Sequence, residues 1–216
     1  MKIDKCIYFA GLGVTALVSF GVAQVPFLVR LSRNPIFMIA GLLLQFGLVF
    51  SLTGRVQEMD RSRAVMSFMA YAVLTGINFS VLFMAFSMTA MIKAFLSVAV
   101  VFGVASIYGS FAKGNVRGWG RYLTMGLFGI LFATMLNMFF YSSTMDLVIS
   151  IVGVVLFTGL TVWDTGRICE MNAAFGSSLT EDEFTKLGIV GALDLYLDFL
   201  NIFLYLLRFT AASDNN

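Results

Sequence analysis

Long stretches without any Asp, Glu, Lys or Arg constrain this chain more than any other feature. Each is about the 17 to 25 residues, or somewhat more, that a helix needs to cross the hydrocarbon core of a bilayer. A seventh stretch, Leu187 to Leu207, is long enough but contains Asp194 and Asp198. We therefore predict an all-α membrane protein with about seven transmembrane helices, forming a single transmembrane domain over residues 1–216. The six uninterrupted stretches are Cys6 to Val29, Asn34 to Gly54, Ala64 to Ile92, Ala94 to Ala112, Tyr122 to Met145 and Leu147 to Trp163.

Composition excludes several classes of protein. Hydrophobic residues make up 59% of the chain and charged residues 12%, whereas charged residues make up about a quarter of a soluble domain. The basic residues are scattered between apolar stretches and form no stripe, so nucleic-acid binding is not expected. Cys6 and Cys169 lack CxxC spacing and the chain has no histidine, so we predict neither a disulfide framework nor a bound cofactor.

The distribution of basic residues predicts the orientation. With seven crossings, ten Lys and Arg residues fall on the side of the N-terminus and four on the other side. The positive-inside rule then places the N-terminus in the cytoplasm. The four are Arg30, Arg33, Lys93 and Arg208.

The last stretch carries a polar face. Its polar residues are spaced i, i+4, i+7, i+11 and i+14, which places them on one side of a helix. An Asp at the centre of a membrane helix costs about 2.5 to 3.5 kcal/mol, so this face must point into the protein. Thr180 and Glu183, just before it, have the spacing of a helix-starting capping box. The polar residues are Asp194, Asp198, Asn201, Tyr205 and Arg208, of which we take Asp194, Asn201 and Tyr205 as candidates to line a hydrophilic pathway.

The sixth stretch ends at a third intramembrane acid, Asp164. Counting residues from the charged ends matches Asp164 in depth to Asp194 better than to Asp198, but helix tilt leaves both pairings open. Two carboxylates within hydrogen-bond reach would share a proton and respond to pH. The alternative is that these acids are neutral groups that only tie helices together.

The residues Leu193-Asp194-Leu195-Tyr196-Leu197-Asp198-Phe199-Leu200-Asn201-Ile202-Phe203, followed by Leu206-Leu207-Arg208, resemble the C-terminal signature of the Bax-inhibitor-motif transmembrane family. Trp163-Asp164-Thr165 resembles the aromatic-Asp pattern of the same family, and Thr75-Gly76-Ile77 resembles its early Gly motif. Bacterial members are similar throughout the chain.

This resemblance implies a central last helix surrounded by the other six, with an aspartate pair that acts as a pH-sensitive latch over a calcium-leak pathway. Carried over by motif, the pair is Asp164 and Asp198, which would also make transient contact with calcium. Family members have an acid in the second helix, where this chain has Gln45, and an Arg that interacts with the latch. Candidates for that counter-charge are Arg55 and Arg63, in a loop that also contains Arg61.

Two other classes of membrane protein fit this sequence less well. An aspartyl intramembrane protease needs a GxGD-type motif and a downstream Pro-Ala-Leu element, but this chain has Gly191-Ala192-Leu193-Asp194 and no proline after Pro35. A retinal protein needs a Schiff-base lysine in its last helix, and no Lys follows Lys186.

We therefore expect a non-enzymatic, pH-regulated, passive calcium or other cation leak channel in a bacterial inner membrane. The expected partners are the lipid bilayer and the cation. The alternative is a non-conducting regulator that binds another membrane protein, such as a membrane protease or a stress-signalling partner.

Overall fold

The computed structural model describes residues 2–32, 34–112, 118–175 and 180–214. In these ranges the chain forms nine α-helices and one short 3₁₀ turn, Val56–Glu58, and no β-strand. An all-α membrane protein is therefore confirmed. The helices are α1 (Lys2–Ala23), α2 (Pro26–Ser32), α3 (Pro35–Arg55), α4 (Arg61–Phe79), α5 (Leu82–Ala85), α6 (Met88–Phe111), α7 (Trp119–Phe139), α8 (Ser143–Phe175) and α9 (Glu181–Asp214).

Among the residues that the structure describes, six candidate membrane spans are long and apolar enough to stand alone, and a seventh is present if α1 and α2 count as one span. That pair is bent by 110° at the break between Ala23 and Pro26. Proline has no backbone N–H, so it cannot donate the hydrogen bond that would continue α1. At the first position of a helix that N–H has no partner within the helix, so Pro26 can begin α2. The first predicted stretch, Cys6 to Val29, is therefore two helices and not one.

Three other predicted boundaries differ from the structure. The stretch Ala64 to Ile92 is broken after Phe79, and Lys93 lies inside α6 instead of ending a helix. α7 ends at Phe139, before the predicted Met145, where Asn137 Oδ1 accepts a hydrogen bond from the Ser142 N–H over 3.1 Å. In the other direction, α8 continues past Trp163 to Phe175. Ionisable residues mark where lipid contact ends, whereas helices end where backbone hydrogen bonding ends.

The helices group into two compact units. The first comprises Met1–Ser87 and Phe175–Tyr196, and the second comprises Met88–Ala174 and Leu197–Asn216. The helix α9 therefore contributes its N-terminal part to the first unit and its C-terminal part to the second.

In the first unit, small residues bring α1 and α4 close together. A Cβ atom on Gly76 would lie 2.8 Å from the carbonyl oxygen of Thr15. Next to this contact, α3 is tied to α4 by Gln45, whose Nε2 donates to Thr75 Oγ1 over 2.8 Å and whose Oε1 accepts from Asn78 Nδ2 over 2.8 Å. Small residues and side-chain amides are the usual means by which helices associate in lipid.

In the second unit, α8 is the common partner of the other helices. A Cβ atom on Gly109 of α6 would lie 2.5 Å from the carbonyl oxygen of Val162. One on Gly120 of α7 would lie 2.6 Å from the ring of Trp163. These contacts fix the segment of α8 that immediately precedes Asp164.

Candidate functional site

The helix α9 starts where the sequence predicts. Glu183 N–H donates to Thr180 Oγ1 over 3.3 Å, and Glu183 Oε2 accepts from the Thr180 N–H over 3.0 Å. This is the reciprocal pair of a capping box, which satisfies two backbone donors at the start of a helix.

The helix α9 is also the most buried of the six candidate spans that stand alone in the described residues. In its most apolar window 61% of residues are buried, compared with 11% to 39% in the other spans. A helix with two Asp residues on one face is stable in a membrane only if that face avoids lipid. The burial of α9 meets this requirement.

Asp164 and Asp198 both lie in the second unit, Asp164 on α8 and Asp198 on α9. Their exposed fractions are only 6% and 4%. Two carboxylates are thus held away from solvent within one compact body. Asp194, which is half-buried, belongs to the first unit.

The remaining residues of the polar face lie in the second unit. Asn201 is half-buried, and its Nδ2 donates to the Leu197 carbonyl within the same helix over 2.8 Å. Tyr205 is buried against α8, where its ring lies 5.9 Å from that of Phe157 between centroids and covers Gly153. A Cβ on Gly153 would lie 2.6 Å from that ring.

The polar face ends in a charged cluster. Arg208 Nη1 lies 3.9 Å from Asp146 Oδ1, and its Cζ lies 5.9 Å from the ring centroid of Tyr205. Asn137 Nδ2 lies 3.5 Å from the same Asp146 oxygen. Asp146 thus offsets the charge of Arg208 at this end of α9.

A second charged cluster lies at the start of α9. Lys186 is largely buried, and its Nζ lies 2.8 Å from Asp182 Oδ2 and donates to the Gln57 carbonyl over 3.5 Å. Arg61 Nη1 lies 3.5 Å from Glu181 Oε1. These contacts fasten the loop between α3 and α4 to the first turns of α9.

The basic residues proposed as a counter-charge lie in the first unit. Arg55, at the end of α3, is exposed. Arg63 is exposed and its Nε lies 3.8 Å from Asp60 Oδ2. A further candidate for the counter-charge, which the sequence analysis does not single out, is Arg167. It lies one turn after Asp164 on α8 and is half-buried. Its Cζ lies 5.1 Å from the ring centroid of Trp163. The i, i+3 spacing of Asp164 and Arg167 is the signal that could have revealed it.

Tyr196 is a second residue that the polar spacing does not reveal, because it lies on the other side of α9 from the aspartates. It is fully buried, and its hydroxyl hydrogen-bonds to Thr15 Oγ1 of α1. The rings of Phe68 and Tyr71 meet it edge to face at 5.6 and 5.8 Å between centroids. Tyr196 therefore fixes the rotation of α9 two residues from each aspartate.

Within residues 2–32, 34–112, 118–175 and 180–214, no three Asp, Glu or Cys side chains lie close enough to form a metal site.

The family described as "Inhibitor of apoptosis-promoting Bax1" matches residues 6–215. The chain belongs to this Bax-inhibitor family. The inner membrane protein YbhL of Escherichia coli K12 is 34% identical over 199 residues, which cover 92% of this chain and 85% of YbhL.

Two further relatives are similar to this chain over most of their length. A protein of Borreliella burgdorferi is 39% identical over 185 residues, 85% of this chain and 78% of its own. A protein of Deinococcus radiodurans is 38% identical over 208 residues, 95% of this chain and 87% of its own. The resemblance of this chain to the Bax-inhibitor family is therefore confirmed.

Proposed function

We propose that this member of the Bax-inhibitor family is a non-enzymatic, pH-regulated, passive leak for calcium or another cation across a bacterial inner membrane. Asp164 and Asp198 would form its gate. The observation that carries the proposal is that both carboxylates are almost fully buried in one compact unit, on two helices that contact each other. The relative YbhL is named an inner membrane protein, which supports the location.

The packing of α8 against α9 supports the pairing of these two residues. Consecutive membrane-spanning helices run antiparallel, and Phe157 of α8 meets Tyr205 of α9. Seven residues further along α8 is Asp164, and seven residues back along α9 is Asp198. Each step of seven residues is about 10.5 Å and almost two whole turns. Both carboxyl groups would therefore lie at the same depth. Asp164 would be on the same face of α8 as Phe157, and Asp198 on the same face of α9 as Tyr205.

Such a pair would respond to pH by a change in its charge. In a low-dielectric interior two adjacent carboxylates cannot both ionise at low energetic cost, so they would hold one proton between them. When that proton leaves, repulsion would separate α8 from α9 or draw in a cation. Calcium is a suitable cargo because it prefers carboxylate, amide and carbonyl oxygens, and it would make transient contact with Asp164 and Asp198.

The pathway would follow the polar face of α9. Asp194, Asn201 and Tyr205 are its candidate lining residues, and the N-terminus would be cytoplasmic because most basic residues lie on that side. Arg55 and Arg63 remain candidates for the counter-charge. Arg167 joins them because it is half-buried and one turn from Asp164.

The test is calcium flux into liposomes that contain purified protein, from about pH 6 to pH 8. The proteins compared are the native chain, Asp164→Asn, Asp198→Asn and the control Glu58→Gln, which removes an exposed acid. We expect a pH-dependent leak in the native chain and the control, and a leak that no longer responds to pH in either Asp variant.

Folding is checked by circular dichroism and size-exclusion chromatography. If folded native protein gives no more flux than empty liposomes at any pH, the leak is refuted. The better account is then the non-conducting regulator, whose binding to a membrane protease or stress-signalling protein would survive Asp198→Asn.

A further inference from the structure

The bend between α1 and α2 separates a membrane crossing from a surface helix. α1 has 22 residues, which at 1.5 Å per residue is about 33 Å and sufficient to cross the hydrocarbon core alone. α2 turns away from it by 110°. A helix at this angle to a crossing helix runs close to the plane of the membrane surface, on the face opposite the N-terminus.

The side chains of α2 suit that position. Val29 and Ser32 are buried, and Ser32 Oγ donates to the Val29 carbonyl and accepts from Ser80 Oγ at the end of α4. Phe27 and Leu31, one turn apart on the opposite side, are 72% and 38% exposed. A short helix with one side anchored to protein and another side of exposed apolar residues is typical of the interface between headgroups and acyl chains.

A cavity of about 620 Å³ lies beside α2. Among the residues that the structure describes, the polar side chains that line it are those of Arg30 and Asn34, and the others are apolar. Asn34 Oδ1 accepts from the Ile36 N–H over 2.9 Å, so the Nδ2 group is the part that can donate to a ligand. Within the described part of the chain, no acidic side chain forms an ion pair with Arg30. The lining residues are Ala23, Pro26, Val29, Arg30, Asn34 and Met84.

We propose that this cavity binds the phosphate of an anionic phospholipid, with the acyl chains lying along Phe27 and Leu31. A planar guanidinium donates two parallel hydrogen bonds to phosphate oxygens, and the Asn34 amide supplies another donor. The apolar walls match the glycerol and the first methylenes of a lipid. A volume of 620 Å³ is within the range of about 300 to 1,000 Å³ for small-molecule sites.

A lipid fits these observations better than a free anion. The exposed apolar residues of α2 need acyl chains to cover them, and the cation stands at the edge of this apolar surface. Free phosphate would satisfy Arg30 but leave Phe27 and Leu31 without a partner. The inference does not depend on the cation leak, because all the residues involved belong to the first unit, whereas Asp164 and Asp198 belong to the second.

The experiment is native mass spectrometry of delipidated protein in detergent, titrated with dioleoylphosphatidylglycerol or with dioleoylphosphatidylcholine. We expect tighter binding of phosphatidylglycerol to the native chain. Arg30→Gln should weaken it about five-fold, the effect of one basic residue beside an anionic lipid, equivalent to about 1 kcal/mol. Phosphatidylcholine binding should change little. The matched control Lys93→Gln removes a cation that the sequence predicts on the same side of the membrane and that is not among the residues lining the cavity.

Met84→Trp fills the cavity without changing charge and should also displace phosphatidylglycerol, which keeps the test valid if Arg30→Gln does not fold. The proposal is overturned if folded Arg30→Gln retains native affinity and preference for phosphatidylglycerol. It is equally overturned if Lys93→Gln weakens binding as much as Arg30→Gln, or if inorganic phosphate alone competes at concentrations equal to the lipid.

Discussion

Gly109 is the residue whose replacement the structure predicts most sharply. In Gly109→Ala the new Cβ would lie 2.5 Å from the Val162 carbonyl oxygen and 3.0 Å from Thr165 Cβ. Favourable carbon-to-oxygen contacts are about 3.3 Å or longer, so α6 and α8 must separate by about 0.8 Å. The obstructing atom belongs to the backbone and cannot rotate away. Overpacking of this kind costs about 1 to 3 kcal/mol.

Gly103 on the same helix provides the control. A Cβ at Gly103 would meet nothing within 4 Å, so Gly103→Ala should only gain the greater helix propensity of Ala, about 1 kcal/mol. Gly109→Ala gains the same propensity, and the gain therefore cancels when the two variants are compared. The free energy of unfolding of Gly109→Ala should be lower than that of Gly103→Ala by about 1 to 3 kcal/mol.

The assay is reversible unfolding in mixed micelles with increasing sodium dodecyl sulfate, followed by circular dichroism. Under the proposed function, Gly109→Ala should also alter calcium flux, because Thr165 follows Asp164 directly and lies against the same contact as Val162. A free energy of unfolding for Gly109→Ala equal to or above that of Gly103→Ala would refute the close approach of α6 and α8 at this point.

Two further predictions concern contacts in the first unit. Tyr196→Phe and Thr15→Val each remove one side of a buried hydroxyl pair. A double-mutant cycle in the same unfolding assay should give a coupling energy of about 0.6 kcal/mol, with an upper bound of about 1.7 kcal/mol. A coupling energy of zero would contradict the hydrogen bond between Tyr196 and Thr15. Arg61→Gln breaks an ion pair with Glu181 in which the side chains are 48% and 82% exposed. The free energy of unfolding should therefore fall by less than about 1 kcal/mol, and this loss should vanish at high salt. A large loss that does not depend on salt would contradict the exposed position of the pair.

Much of the fold follows from the sequence because bilayer thickness imposes a fixed length on each crossing. The predicted stretch Asn34 to Gly54 agrees with α3, Pro35–Arg55, within a residue at each end. The capping box at Thr180 and Glu183 is also confirmed, because its contacts are local. Local signals and stretch lengths were sufficient for these elements.

The breaks in other stretches could not be predicted in the same way. Nothing in the uncharged residues from Ala64 to Ile92 signals that α4 ends at Phe79, where Ser80 Oγ turns back to the Ile77 carbonyl and meets Ser32. Charged residues after Trp163 do not predict the continuation of α8 to Phe175. They mark the end of the apolar environment, and a helix can continue into water.

The sequence by itself determined that this chain spans a membrane several times, that it belongs to the Bax-inhibitor family, and that its last helix has one polar face. These properties depend on composition, on the spacing of residues and on the helical period, and all three follow from the order of residues alone. Only the tertiary structure decided that Asp164 and Asp198 are both buried in the second unit, that Tyr196 is bound to Thr15, and that Arg167 stacks on Trp163. These arrangements depend on side chains that meet across helices, and helix packing is set by the size and shape of residues far apart in sequence.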